Sequence, residues 1–262
     1  WWMRAILAVS FLFLYFPIVA LIAFSFNNSK RNINWRGFTL KYYEKAFANE
    51  ALHDAFINSM IVASISTLVS TVLGAMLGIL LYRFRFPLKG AYEGMVHLPI
   101  VIPEVCMGVA LLAFFAAIKM PLGLTTITVS HIAFTIPFVA VVIRARMAGF
   151  DRSIEEAACD LGAGQWQVMR DITLPYLKPG LIAGAMLAFT LSLDDFVITF
   201  FTSGPGSTTF PIKIYSMVRF SVTPEVNAAS TLLIVLTLGL TVVAMWVQSR
   251  GDGGAVARKE GA

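Results

Sequence analysis

Charge is scarce in this sequence. Only 13% of its 262 residues are Asp, Glu, Lys or Arg, whereas about a quarter are charged in an average soluble protein, and 58% are hydrophobic. Two cysteines, Cys106 and Cys159, are too few for a disulfide framework. The sequence has no Gly-x-x-x-x-Gly-Lys-Ser/Thr pattern for binding nucleotide phosphates. Its basic residues are scattered rather than clustered in one stripe, which argues against a nucleic-acid-binding protein.

What the sequence does contain is a set of long apolar segments. Each has at least the roughly 20 residues that a helix needs to cross a bilayer. The six segments are residues 5–26, 55–82, 94–118, 120–143, 179–201 and 226–249. The first exceeds the apolar region of a signal peptide and no cleavage pattern follows it, so we expect it to be retained. The sequence therefore predicts an all-α, polytopic membrane protein with six transmembrane helices in a single domain, residues 1–262.

The distribution of positive charge gives a weak preference for one orientation. Six spans place both termini on the same side of the membrane. With cytoplasmic termini, the inner segments carry twelve Lys and Arg and the outer segments carry eight. We therefore expect the termini, and the long loop at residues 144–178, to lie in the cytoplasm.

This inner loop is longer than a connector needs to be, and two short helices are predicted in it. Ser153 is predicted to cap the first, with Glu156 completing a capping box and Gly162 ending the helix. The second is predicted over residues 165–174, with Pro175 ending it. Its apolar residues recur at helical spacing: Trp166, Met169 and Ile172 or Thr173. This face docks on a cytoplasmic partner or rests on the membrane surface or the bundle end.

Three acidic residues lie within the predicted spans: Glu104, Asp194 and Asp195. A charged side chain at the middle of a membrane helix costs about 2.5–3.5 kcal/mol, so each of these residues is a candidate functional group. The two aspartates lie four or five residues from the middle of the fifth span, in its outer half if the termini are cytoplasmic. Glu104 follows Pro99 and Pro103, which predict a broken helix. No span contains Lys or Arg, so we expect these acids to lack a basic partner within the spans.

The functional hypothesis is that these acids line a path for a cation, with Ser192 as a neutral neighbour. Alternatively, they are protonated, bond to Thr190, Ser192 or Thr199, or pair with another subunit. Tyr42, in the first outer loop, either contacts cationic cargo by a cation–π interaction or belongs to an interfacial aromatic belt. His97 and His131 lie in different spans, and neither has His or Cys at ligand spacing, so no metal site is predicted.

The inner loop carries a family resemblance. Residues 156–158 are Glu-Ala-Ala, three residues separate them from Gly162, and residues 172–175 are Ile-Thr-Leu-Pro. This pattern resembles the EAA loop of ABC-importer permeases, a coupling helix that sits in a cleft of the ATP-binding subunit. The resemblance implies that the ATPase contacts are Glu156, Ala157, Ala158, Gly162, Leu174 and Pro175.

A narrower resemblance extends over nearly the whole chain. Residues 189–196, 203–206, 213–219 and 224–228 are similar to those of the spermidine/putrescine permeases. This implies a non-catalytic subunit of a bacterial inner membrane. Its partners would be a second, related permease in a heterodimer, a homodimeric ATPase that holds ATP and Mg, and a periplasmic polyamine-binding protein.

Two other functions are less consistent with the sequence. An ion-gradient-driven secondary transporter of an organic cation leaves the long EAA-like loop unexplained. An intramembrane aspartyl protease needs two facing acids, whereas adjacent helical residues point about 100° apart.

Overall fold

The computed structural model describes residues 1–29, 34–220 and 223–256. In this part of the chain the structure is helical, apart from loops and one isolated antiparallel bridge between Asn27 and Phe38. The helices in chain order are α1 (Trp2–Ser25), α2 (Lys41–Ala48), α3 (Glu50–Arg83), α4 (Lys89–Val101), α5 (Glu104–Ala117), α6 (Leu124–Met147), α7 (Ser153–Asp160), α8 (Gln165–Val168), a π-helical turn (Met169–Thr173), α9 (Leu174–Asp194), α10 (Val197–Thr202), α11 (Phe210–Phe220) and α12 (Pro224–Val256).

The prediction of an all-α, polytopic membrane protein is confirmed. Five helices in the described residues are long and apolar enough to cross a membrane, and there are six if α4 and α5 form one broken span. These two helices meet at an angle of 107°. Ile102 and Pro103 separate them, and Ile102 is extended (ψ 134°), as the ring of a following proline favours. The break predicted before Glu104 is therefore present, while Pro99 lies inside α4 without ending it.

Both predicted boundaries of the fifth span, residues 179 and 201, differ from those of the helix in the structure. Residues Gln165–Asp194 form one helical run of 30 residues through α8, the π-helical turn and α9. Pro175 does not end the helix as predicted, because it occupies the first turn of α9, directly after the π-helical turn, where its missing N–H is tolerated. At the other end, α9 stops at Asp194. The aspartate pair therefore lies at a helix end, which the apolar run did not predict.

The chain forms two compact units. The first contains residues 1–58 and 208–238, and the second contains residues 59–207 and the chain from Gly239. The inner loop and all three intramembrane acids belong to the second unit, whereas Tyr42 belongs to the first. The single permease domain predicted over residues 1–262 stays a prediction.

In the second unit, α6 is the central helix. Val139, Ile143 and Met147 of α6 are buried in a core that also contains Leu177 and Ala188 of α9. Two glycines let α3 approach α6 closely. A Cβ at Gly74 would lie 2.6 Å from the Val139 Cβ, and one at Gly78 would lie 2.8 Å from the Ala140 carbonyl oxygen. Glycine is required at these positions, as is usual where membrane helices pack backbone to backbone.

The first unit has a smaller core and a helix, α1, that is exposed over most of its length. Ala46, Leu52, Phe210 and Ala229 form a buried cluster between α2, α3, α11 and α12. No residue in the most apolar window of α1 is buried. A helix that is apolar all round is suited to contact with lipid or another subunit.

Candidate functional site

The aspartate pair forms a break between two helices. Asp194 is the last residue of α9, Asp195 is extended (φ −62°, ψ 124°), and α10 begins at Val197. The Asp195 carboxylate turns towards α10. It accepts the backbone N–H of Thr199 (2.8 Å) and of Ile198 (3.3 Å), and the hydroxyl of Thr199 (2.7 Å). Asp195 therefore caps α10, which explains why the chain leaves α9 at this point.

A buried histidine contacts the same carboxylate. His131 of α6 is 1% exposed, and its Nε2 lies 3.2 Å from Asp195 Oδ2 and 2.9 Å from Thr199 Oγ1. Because Nε2 faces a carboxylate, we assign a proton to this nitrogen. The expectation that all three acids lack a basic partner is therefore wrong for Asp195. Its contact with Thr199 is one of the alternatives that the sequence left open.

Ser192 lies on the other side of the imidazole. Its hydroxyl is 2.7 Å from His131 Nδ1 and 3.0 Å from the hydroxyl of Ser66 on α3. Ser192 is 4% exposed. The residue predicted as a neutral neighbour of the cation is thus engaged in a buried hydrogen-bond network that joins α3, α6, α9 and α10.

The other two acids are placed differently. Asp194 and Glu104 are both exposed, and Asp194 interacts electrostatically with Asp195 and with Glu104. Glu104 begins α5, which packs against α10 so tightly that a Cβ at Gly108 would lie 2.7 Å from the Phe201 ring. In the described part of the chain, neither Asp194 nor Glu104 has an ion-pair partner. Two exposed carboxylates are therefore close enough to interact electrostatically, and no basic side chain of the described residues pairs with either of them.

Tyr42 is in the other unit and has contacts of its own. Its hydroxyl donates to the Ser29 carbonyl oxygen (2.5 Å), and the Lys45 ammonium lies 5.7 Å from its ring centroid. A cation of the chain itself therefore already contacts this ring.

In the inner loop, α7 is held by an ion pair. The Glu155 carboxylate accepts hydrogen bonds from the Arg83 guanidinium of α3 and from the Thr173 hydroxyl, which precedes α9. Glu155 is 7% exposed and Thr173 is fully buried. This three-residue contact, which we call the Glu155 clamp, joins α7 to two of the long helices.

The predicted capping box at the start of α7 is wrong. Ser153 is the first residue of the helix and not its cap. The N-cap position is Arg152, and the Asp151 carboxylate before it accepts the Ser153 backbone N–H at 3.0 Å. This hydrogen bond lowers the pKa of the Asp151 carboxyl, because it stabilises the ionised form.

The predicted end of α7 at Gly162 is confirmed. Gly162 has a positive φ of 89°, its N–H bonds to the Cys159 carbonyl (2.9 Å), and the Ala163 N–H bonds to the Ala158 carbonyl (3.0 Å). This pair of bonds is a Schellman motif, which needs a left-handed residue and so favours glycine.

The surface of the inner loop is partly apolar and open. A cleft of about 910 Å³ lies between α7 and α8, with Glu156 and Trp166 among its lining residues. Trp166 is 72% exposed, whereas Met169 is half-buried and Ile172 packs against the core, so the predicted apolar stripe is exposed only at its start. Among the predicted ATPase contacts, Ala158 is half-buried and the others are exposed: Glu156, Ala157, Gly162, Leu174 and Pro175.

Comparison with known proteins identifies the family. Residues 70–252 match the family described as "Binding-protein-dependent transport system inner membrane component". The chain belongs to this family. It is a multi-pass membrane permease.

Two curated relatives are similar to this permease over almost their full length. The spermidine/putrescine permease PotC of Shigella flexneri is 40% identical over 247 residues, which cover 93% of this chain and 94% of that protein. The putrescine permease PotI of Escherichia coli (strain K12) is 39% identical over 258 residues, covering 96% and 92%.

A solved structure shows the same fold. A bacterial ABC transporter involved in the import of the acidic polysaccharide alginate has a chain that matches the permease with a TM-score of 0.72. The match covers 96% of the permease and 95% of that chain, at 18% identity. The backbone arrangement is therefore that of an ABC-importer permease.

His131 and Glu155 were not predicted as site residues. A titratable residue inside an apolar span is itself a signal of function, and His131 carries that signal. Glu155 precedes the Glu-Ala-Ala pattern, and only the structure shows that it lies on the buried side of α7. No group of three or more potential metal ligands occurs in the residues that the structure describes.

Proposed function

We propose that this chain is a permease subunit of an ATP-driven importer of polyamines, and that it forms half of the path through the membrane. The observation that carries this proposal is the exposed acidic pair, Asp194 and Glu104, which has no basic partner in the described residues. The similarity to PotC and PotI supports polyamines as the cargo class.

The chemistry of the acidic pair suits a polyamine. Such a cargo carries two or more ammonium groups separated by methylene chains. Two exposed carboxylates that interact electrostatically can receive one ammonium group, or two, as the cargo passes them. An anionic cargo would be repelled by the same pair, and a neutral one would leave both charges uncompensated in an environment where charge is costly.

The inner loop supplies the connection to an energy source. We assign α7 and the exposed Trp166 to the docking surface for a homodimeric ATPase, which would bind ATP and Mg, since this chain lacks the phosphate-binding pattern. The helical run Gln165–Asp194 begins at this surface and ends at the acidic pair. The α9 part alone spans about 30 Å at 1.5 Å per residue. Movement at the loop can therefore reach the path along one helix.

The same arrangement supports the orientation expected from the charges. A cytoplasmic loop places Asp194, at the opposite end of α9, towards the outer side, where a periplasmic binding protein would deliver cargo. We assign the chain to a bacterial inner membrane with cytoplasmic termini, paired with a second, related permease. In this assignment the chain performs no chemical step itself.

The test is reconstitution of the permease in lipid with the second permease, the ATPase and the binding protein. We expect spermidine or putrescine to stimulate ATP hydrolysis and to be taken up. Stimulation by a different solute alone would contradict the cargo assignment. Uptake that continues without the ATPase would instead favour a secondary transporter.

Asp194→Asn tests the acidic path directly. A carboxylate and an ammonium group 4 Å apart attract each other by about 4 kcal/mol at an effective dielectric constant of about 20. Desolvation offsets much of this, so we expect uptake at saturating loaded binding protein to fall by about tenfold or more. Basal ATP hydrolysis should be unchanged. Asp54→Asn, which neutralises an exposed aspartate of the first unit, is the control. Normal uptake by Asp194→Asn would refute the path.

A further inference from the structure

The buried hydrogen-bond network around His131 is not itself part of the proposed cargo path. One imidazole ring contacts both sides of the break between α9 and α10. Nδ1 contacts Ser192, two residues before the last residue of α9, while Nε2 contacts Asp195 in the break and Thr199 in α10. The ring is 1% exposed and belongs to α6, the central helix of the unit. The relative positions of the two helix ends are thus set by a single side chain from a third helix.

Asp195 is buried and already held by contacts within the protein. Its Oδ2 is contacted by the Thr199 backbone N–H, the Thr199 hydroxyl and His131 Nε2, and its Oδ1 accepts the Ile198 backbone N–H. Asp195 is also only 8% exposed. An ammonium group would have to displace a partner from Oδ2 or reach a buried oxygen, whereas Asp194 is exposed.

We propose that His131 is a positioning residue of the cargo path, which holds Asp195 in the break so that Asp194 is the aspartate presented to the cargo. This inference rests on the proposed path through Asp194. It gives the two adjacent aspartates separate roles, because one fixes the backbone and the other meets the cation. Without the imidazole, the Asp195 carboxylate would lose a partner in a buried position, and the break would relax towards another arrangement.

Two variants separate positioning from simple packing. His131→Gln has an amide nitrogen that can replace Nε2 as the donor to Asp195, whereas His131→Leu fills a similar volume without a polar atom. We expect His131→Leu to lower the polyamine transported per ATP hydrolysed by about tenfold, and His131→Gln to restore most of it. Each value is normalised to the amount of fully assembled transporter. Ser130→Ala is the control, since this buried hydroxyl of α6 bonds to the Thr126 carbonyl of its own helix.

Non-additivity provides a second readout. If His131 acts through Asp195, then Asp195→Asn combined with His131→Leu should lower transport no further than the stronger single variant does. A histidine that acts independently of Asp195 would give multiplied losses, and that result would overturn the inference.

The reactivity of a thiol at residue 194 measures the positioning without transport. Asp194→Cys is made together with Cys106→Ser and Cys159→Ser, and its reaction rate with a cationic thiol reagent is recorded. We expect His131→Leu to change this rate severalfold and His131→Gln to leave it nearly unchanged. Equal rates in all three backgrounds would overturn the positioning role. Normal uptake by Asp194→Asn would instead refute the proposed path, even if the thiol rates respond to His131.

Discussion

The Glu155 clamp leads to a quantitative prediction for the stability of α7. Glu155→Gln keeps the length of the side chain and an oxygen that can accept from Thr173, but it removes the charge that faces Arg83. The side chains of the ion pair are 9% exposed at Glu155 and 21% exposed at Arg83. Exposed pairs contribute about 0.2–1 kcal/mol, and breaking a fully buried pair costs about 3–5 kcal/mol. For this intermediate burial we expect a loss of about 2 kcal/mol.

Backbone hydrogen exchange measures this loss locally. A destabilisation of about 2 kcal/mol corresponds to a roughly thirtyfold rise in the open population, since about 1.4 kcal/mol is a factor of ten. Amides of α7 that exchange by local opening should therefore exchange about thirty times faster in the assembled transporter in lipid. Asp160→Asn, which neutralises an exposed acid of the same helix, should leave the rates unchanged.

Two outcomes would refute this reasoning. The first is an unchanged α7 exchange rate in Glu155→Gln. The second is an equal increase in Glu155→Gln and Asp160→Asn, which would mean that the net charge of α7 matters and the clamp does not. If the pair acts as a unit, Arg83→Gln combined with Glu155→Gln should cost less than the sum of the two single changes.

Two glycine substitutions give further tests. Gly74→Ala places a Cβ 2.6 Å from the Val139 Cβ, so we expect a net loss of about 1–2 kcal/mol and a lower midpoint of thermal unfolding. Gly94→Ala is the control, because a Cβ there meets nothing within 4 Å, and it should not lower the midpoint of thermal unfolding. Equal midpoints for Gly74→Ala and Gly94→Ala would contradict the close approach of α3 and α6. Gly162→Ala, at a φ of +89°, should cost about 1–2 kcal/mol, read as faster exchange at the end of α7, whereas Gly162→Asn should cost less because Asn tolerates the left-handed region. Equal exchange in the two Gly162 variants would show that the positive φ is not what requires glycine.

The helical regions were predictable because they depend on local sequence. The length of each apolar run predicts a membrane helix without reference to any neighbour. Pro103 predicts the break before Glu104 because proline restricts its own φ and the residue before it. Gly162 predicts the end of α7 for a similar local reason. Errors occurred where a local signal depended on its surroundings. Pro175 follows a π-helical turn and does not end the helix, and Ser153 lies inside α7, where its backbone N–H bonds to Asp151.

The sequence by itself determined that this chain spans a membrane, that its few intramembrane charges are acidic, and that one inner loop differs from a simple connector. Only the tertiary structure decided which of the two adjacent aspartates is exposed. Asp194 and Asp195 are chemically identical neighbours. His131, more than sixty residues away in the chain, contacts the carboxylate of Asp195, whereas Asp194 is exposed. Contacts between distant residues require helices to pack in one specific arrangement, and the periodicity of a single segment carries no information about them.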